Sequence, residues 1–83
     1  MEIIRFIWTE NNIAHIARHN FTPVEIEEVF EAKDFIWSDI EDNYPRRIGH
    51  GTSQRGTVRV VFAFDQGECY VITAFNINFK RIK

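Results

Sequence analysis

The sequence predicts an α+β domain: one N-terminal strand, two helices, then a three- to four-stranded antiparallel sheet with both helices on one face. Three observations lead there. Thr22-Pro23-Val24-Glu25 has the make-up of a helix start, with Thr22 as N-cap, Pro23 at the first helical position and Glu25 placed to bond back to the cap. Residues 58–64 alternate with a period of two, Val58, Val60, Phe62 and Phe64 on one side and Arg59, Val61 and Ala63 on the other, as a strand does. Finally, β-rich segments stand before and after the helical ones, with no linker, repeat or low-complexity run between them. Eighty-three residues, 45% hydrophobic, make a single domain over residues 1–83. A chain of that size hides about 60–65% of the surface its unfolded form exposes, so its stability is modest.

Taken in order, residues 2–8 are rich in β-branched and aromatic side chains and read as the first strand. Thr9 caps a helix over residues 10–19, whose apolar face is Ile13, Ile16 and Ala17, and Asn20 is its left-handed stop. The second helix covers residues 23–32. Phe21 and Ile26 flank its cap as a hydrophobic staple, Val29 and Phe30 continue the buried stripe, and Glu27, Glu28 and Glu31 lie outward. A strand at 35–39, a polar turn at 40–45, a strand at 46–50 and a loop at 51–56 follow. Residues 58–64 and 69–75 then pair through a turn at 65–68. The sheet face away from the helices is open, and Arg59 stands on it.

Charge divides along the chain. Residues 1–44 hold ten acidic and three basic groups, a balance of −7, and residues 45–83 hold seven basic and two acidic groups, a balance of +5. A one-sided cluster of Arg and Lys is the footprint of a surface that meets RNA or an acidic protein. Cys69 stands alone, which excludes an intrachain disulfide and a cysteine-based zinc site; in a strand it reads as a small buried hydrophobe. His15 and His19 have an i, i+4 spacing but no third ligand, so no metal is expected. No cofactor is expected either, because no phosphate loop, nucleophile elbow or dinucleotide fingerprint occurs. No apolar stretch is long enough to span a bilayer and the first residues lack signal-peptide order, so the expected location is cytoplasmic, with no membrane partner. Trp8 and Trp37 read as core or near-core residues.

Three blocks stand out: Phe6-Ile7-Trp8-Thr9-Glu10-Asn11-Asn12-Ile13 with Ala17-Arg18-His19-Asn20; Thr22-Pro23-Val24-Glu25-Ile26-Glu27-Glu28-Val29-Phe30; and Val60-Val61-Phe62 with Val71-Ile72-Thr73-Ala74. Together they resemble the BrnT toxin family. The first looks like its aromatic-Trp-x-x-x-Asn opening and Lys/Arg-His-Gly helix end, the second resembles its second helix, and the third its last hairpin. The resemblance covers nearly the whole chain, and the order and spacing of the blocks are more specific than any one of them. It implies a RelE-like fold, RNA as substrate, a ribbon-helix-helix antitoxin as partner, and the role of toxin in a type II toxin-antitoxin system; a homodimer is left open. Arg46, five residues before Gly51, matches a family arginine, and Arg55 is a loose match to another. Phe75 stands where the family has an arginine, and the family's C-terminal segment is reduced to Lys80 and Arg81. The expectation is therefore a metal-independent endoribonuclease weakened by loss of an active-site arginine. The alternative is a non-catalytic protein-interaction or RNA-binding module of the same fold.

Cleavage through the RNA 2′-hydroxyl needs a proton acceptor, a donor to the leaving oxygen and cations for the charge on phosphorus. Arg46, Arg55 and His50 are the catalytic candidates. Arg47, Arg59, Tyr44, Lys80 and Arg81 are the RNA-binding ones, since guanidinium forks match phosphate and tyrosine can stack on a base.

Overall fold

The protein is described by a computed structural model over residues 1–40 and 46–77. In chain order its elements are β1 (Arg5–Ile7), α1 (Glu10–Ala17), α2 (Pro23–Phe30), β2 (Ile36–Asp39), β3 (Arg46–Ser53), β4 (Gly56–Asp65) and β5 (Glu68–Asn76). They form one sheet in the order β1-β5-β4-β3-β2. β2 to β5 pair antiparallel with their neighbours, as expected, and β1 joins the far edge parallel to β5, which makes the sheet mixed. The expected turn at 40–45, together with Tyr44, Lys80 and Arg81, falls almost wholly outside the described residues.

β1 is shorter than the residues 2–8 suggested, and Asn12 explains its end. The Asn12 side chain donates to the Ile7 carbonyl at 2.9 Å, capturing the group that would carry the ladder forward. The amide oxygen of the same side chain accepts from the Thr9 backbone N–H at 2.6 Å, while Thr9 Oγ1 accepts from the Asn12 N–H at 3.3 Å, a capping box that starts α1. Asn12 is only 1% exposed and Ile13 is 39% exposed, so the buried stripe of α1 is Asn12 and Ile16 instead of Ile13, Ile16 and Ala17. A polar residue faces the core here because its hydrogen bonds are met locally. α1 ends at Ala17, two residues early, and Asn20 takes the expected left-handed conformation with φ 67°.

α2 begins as the sequence indicates, with Thr22 and Glu25 bonded reciprocally and Phe21 and Ile26 both buried. It ends at Phe30, not 32. Val58, Val60, Phe62, Val71 and Ala74 point to the helices and join Ile16, Phe21, Ile26, Val29 and Cys69 in one buried cluster. Each large aliphatic or aromatic member contributes about 1.5–3 kcal/mol of burial. Trp8 and Trp37 pack on this cluster partly buried.

The largest departure is at residues 51–56, expected as a loop. β3 instead runs through Ser53 and pairs residue by residue with β4, leaving Gln54 and Arg55 as the turn and Gly56 at φ +96° to close it. Gly51 serves packing, not a turn: a Cβ there would sit 2.8 Å from the Val29 carbonyl oxygen, so only glycine lets α2 lie this close on β3. None of the helices among the described residues is long and apolar enough to cross a membrane.

Candidate functional site

Directly paired residues on neighbouring strands point to the same side of a sheet. Because Val58, Val60 and Phe62 take the helix side, the intervening residues of β4 define the other side. Arg59 pairs with His50 on β3 and with Phe75 on β5, and His50 pairs with Ile36 on β2. The four side chains Ile36, His50, Arg59 and Phe75 thus form a row across four strands. The next row is Ser38, Ile48, Val61 and Thr73, and the one beyond contains Arg46, Ala63 and Tyr70. No helix of the described residues packs on this face.

Arg59 is the most unusual residue in the first row. Its Nε is buried and has no hydrogen-bond partner among the described residues. A buried donor without an acceptor costs about 1–3 kcal/mol, and neither neighbour supplies one here: Phe75 has no acceptor, and His50 makes no bond to it. Beside it lies a shallow depression of about 240 Å³ lined by Ile36, Ser38, Ile48, His50 and Arg59. Ile36 is 59% exposed, a large apolar side chain left in solvent at the rim.

The arginines singled out by sequence part company. Arg59 and Arg46 lie on the open face, and among the described residues neither forms an ion pair. Arg46 and His50 are four residues apart along β3, about 13 Å at the backbone, so they do not form one compact centre. Arg47 belongs to the other face. Its guanidinium lies 4.7 Å from the Trp37 ring and 5.0 Å from the Phe64 ring, with Nε 3.1 Å from Asp39 Oδ1. That approach gives an ion pair whose angle falls short of a hydrogen bond, and the side chain is only 16% exposed. It closes the end of the core and is not free for RNA.

Arg55, at the tip of the β3–β4 turn, reaches α2. Its Nη1 lies 3.2 Å from Glu25 Oε1 and donates to the Asn20 carbonyl, and its guanidinium sits 4.2 Å over the Phe21 ring. The residue thereby ties the hairpin to the helix start and stands apart from His50 and Arg59. Tyr44, Lys80 and Arg81 lie outside the described residues.

Opposite charges from the two halves of the chain meet in these pairs: Arg5 with Glu68 at 2.6 Å, Arg47 with Asp39, Arg55 with Glu25. Part of the basic excess read from sequence is thus neutralised within the fold. Among the described residues of the second half, Arg46 and Arg59 form no ion pair, and His50 stands beside Arg59.

One residue, Asp34, escaped the sequence reading, and a second, Phe75, entered it only as a missing arginine. Asp34 accepts from the Thr52 N–H at 2.9 Å and from its hydroxyl, and these bonds hold its carboxyl below the usual carboxylate range. The charge of nearby His50 adds a smaller push in the same direction. Phe75 was noted as an absence of arginine, yet it is part of the row. Phe75 joins the row once the β3–β4 and β4–β5 registers are set. Cys69 is fully buried, and burial pushes its thiol up to about 12, which leaves it inert as a nucleophile. Among the described residues no three metal-ligating side chains cluster. In comparison with known proteins, the sequence matches no family model and no curated protein.

Proposed function

We propose that this chain is an RNA-directed protein of the BrnT kind, with a RelE-like fold, acting in the cytoplasm as a weak metal-independent endoribonuclease and serving as the toxin of a type II toxin-antitoxin pair. The observation that carries the reading is the His50–Arg59 pair on the sheet face away from the helices. A phosphodiester there would meet the terminal guanidinium nitrogens, and guanidinium is the side chain best matched to it. His50 then lies beside the phosphate as the proton acceptor.

In this reading the 2′-oxygen attacks phosphorus as its proton passes to His50. The bond from phosphorus to the 5′-oxygen breaks, giving a 2′,3′-cyclic phosphate and a 5′-hydroxyl. Arg59 stabilises the charge that builds on the non-bridging oxygens, and Arg46 attracts the flanking backbone. The row itself holds no second titratable group, so the leaving oxygen takes its proton from water. Phe75 also leaves the row with one cation fewer than the family pattern. Both features make for slow cleavage.

The test is incubation of purified protein with total RNA in the presence of a metal chelator. Wild type is expected to give fragments ending in a cyclic phosphate, His50→Ala and Arg59→Ala are expected to give none, and Phe75→Arg is expected to cut faster at saturating RNA. Intact RNA with a demonstrably folded wild type refutes nuclease activity.

A second reading, a protein-interaction module of the same fold, draws on a different observation. Ile36 is 59% exposed, and Ile48 and Val61 share its face, so the face offers apolar area to a protein as well as charge to RNA. The ribbon-helix-helix antitoxin would cover the same area, and neutralisation would follow from that overlap.

A further inference from the structure

We infer that Phe75 is the base-stacking residue of the open face, and that the ligand it selects is single-stranded RNA lying across the strands from β5 toward β2. The inference rests on the RNA-directed reading above and names its substrate class.

Phe75 follows Ala74, which is fully buried against the helices, so its own side chain takes the opposite side of β5. It is not among the aromatic side chains packed on the core cluster. Its ring is half-buried and its nearest aromatic neighbour is the exposed His19, with ring centroids 6.1 Å apart and planes tilted by 50°. Among the described residues, packing on the core does not account for a phenylalanine here. Its strand partner is Arg59.

An aromatic ring one strand away from a guanidinium, about 5 Å at the backbone, pairs a base platform with a phosphate ligand. On the other side of Arg59 come His50 and then Ile36, beside the depression that Ile48 and Ser38 also line. One base on Phe75, the phosphate on Arg59 and the next residue over the depression follow the row in order.

Charge favours nucleic acid over an acidic peptide only when an aromatic contact is added, and Phe75 adds it. Of the carboxylates near this face, Asp65 and Glu68 lie at its far end, where Arg5 holds Glu68, while Asp34, close to His50, is engaged by the Thr52 N–H and hydroxyl. A duplex is excluded as the ligand class because its bases are stacked and unavailable to a ring on a flat sheet.

The probe is a labelled 2′-O-methyl single-stranded RNA, which cannot be cleaved through the 2′-position, compared by anisotropy with an abasic oligonucleotide of equal length. Phe75→Ala is expected to weaken binding of the base-containing strand about 5- to 150-fold and to leave the abasic strand unchanged. Phe75→Trp should bind at least as well as wild type, and a melting curve for each variant establishes that it is folded. Equal affinity of Phe75→Ala and wild type, or equal losses for both oligonucleotides, overturns the stacking role. If Arg59→Ala weakens binding while Phe75→Ala does not, the RNA-directed reading stands and only the role of Phe75 falls. Failure of wild type to bind either oligonucleotide removes both.

Discussion

Arg55 separates a structural from a catalytic reading most cleanly, since sequence pointed to catalysis and its contacts point to the hairpin–helix junction. Arg55→Ala removes three contacts at once. The cation–π contact with Phe21, at a partly exposed site, is worth about 0.5–1 kcal/mol. The ion pair with Glu25 joins side chains that are 33% and 39% exposed, so solvent screening limits it to roughly 0.2–1 kcal/mol. The bond to the Asn20 carbonyl adds about 1 kcal/mol. These share one side chain and are not additive, which sets the expected loss at roughly 1–2 kcal/mol. For a domain of this size each kcal/mol moves the melting temperature by about 4–8 °C, so a drop on the order of 5–15 °C is expected. Calorimetry measures it, and RNA affinity per folded molecule, read below the melting range, should stay within about twofold by the same loss of one remote charge. An unchanged melting temperature together with lost RNA binding would refute the assignment and return Arg55 to the site.

Other perturbations read other parts of the fold. Arg47→Ala leaves Trp37 and Phe64 without the cation between them and should lower stability by about 1–3 kcal/mol in urea titration, whereas His50→Ala should leave stability nearly unchanged. Asp34→Asn should destabilise at neutral pH and not in strong acid. The folded carboxyl titrates below its ordinary 3.8, so its stabilising effect is complete above that value and is lost as pH falls through the lower folded value. Urea midpoints of the two proteins at pH 7 and in strong acid check this, and a gap that persists in acid would contradict it. Cys69 should react with a disulfide reagent at pH 8 only as fast as the protein unfolds, because burial raises its thiol to about 12. Rapid labelling of the native protein would show the site to be open.

Much of the fold was legible because local signals and packing agree. The Thr22 cap, the Phe21–Ile26 staple and the alternation of residues 58–64 each specify one conformation, and each is found. The errors arose where a residue's local preference and its tertiary use differ. Gly51 reads as a turn but is needed for the close approach of Val29. Asn12 falls outside the apolar face of α1 read from sequence but is buried because it bonds Thr9 and Ile7. The edge position of β1 has no local signal at all, since a parallel partner 63 residues away sets it. For the site, sequence identified His50 and the arginines as types, but their grouping depends on strand register. One residue of register moves a side chain to the other face, which is how Arg47 leaves the set while Arg46 stays.

The most direct test of the open face as the functional surface is an NMR titration of the protein with a short 2′-O-methyl single-stranded RNA, following backbone amides and side chains. Shifts concentrated at Ile36, Ile48, His50, Arg59 and Phe75, weakening as salt is raised, are expected. Shifts centred on Arg47, Trp37 and Phe64, or on Arg55 and α2, would place RNA on the helix side and contradict the assignment, as would the absence of any shift at low salt.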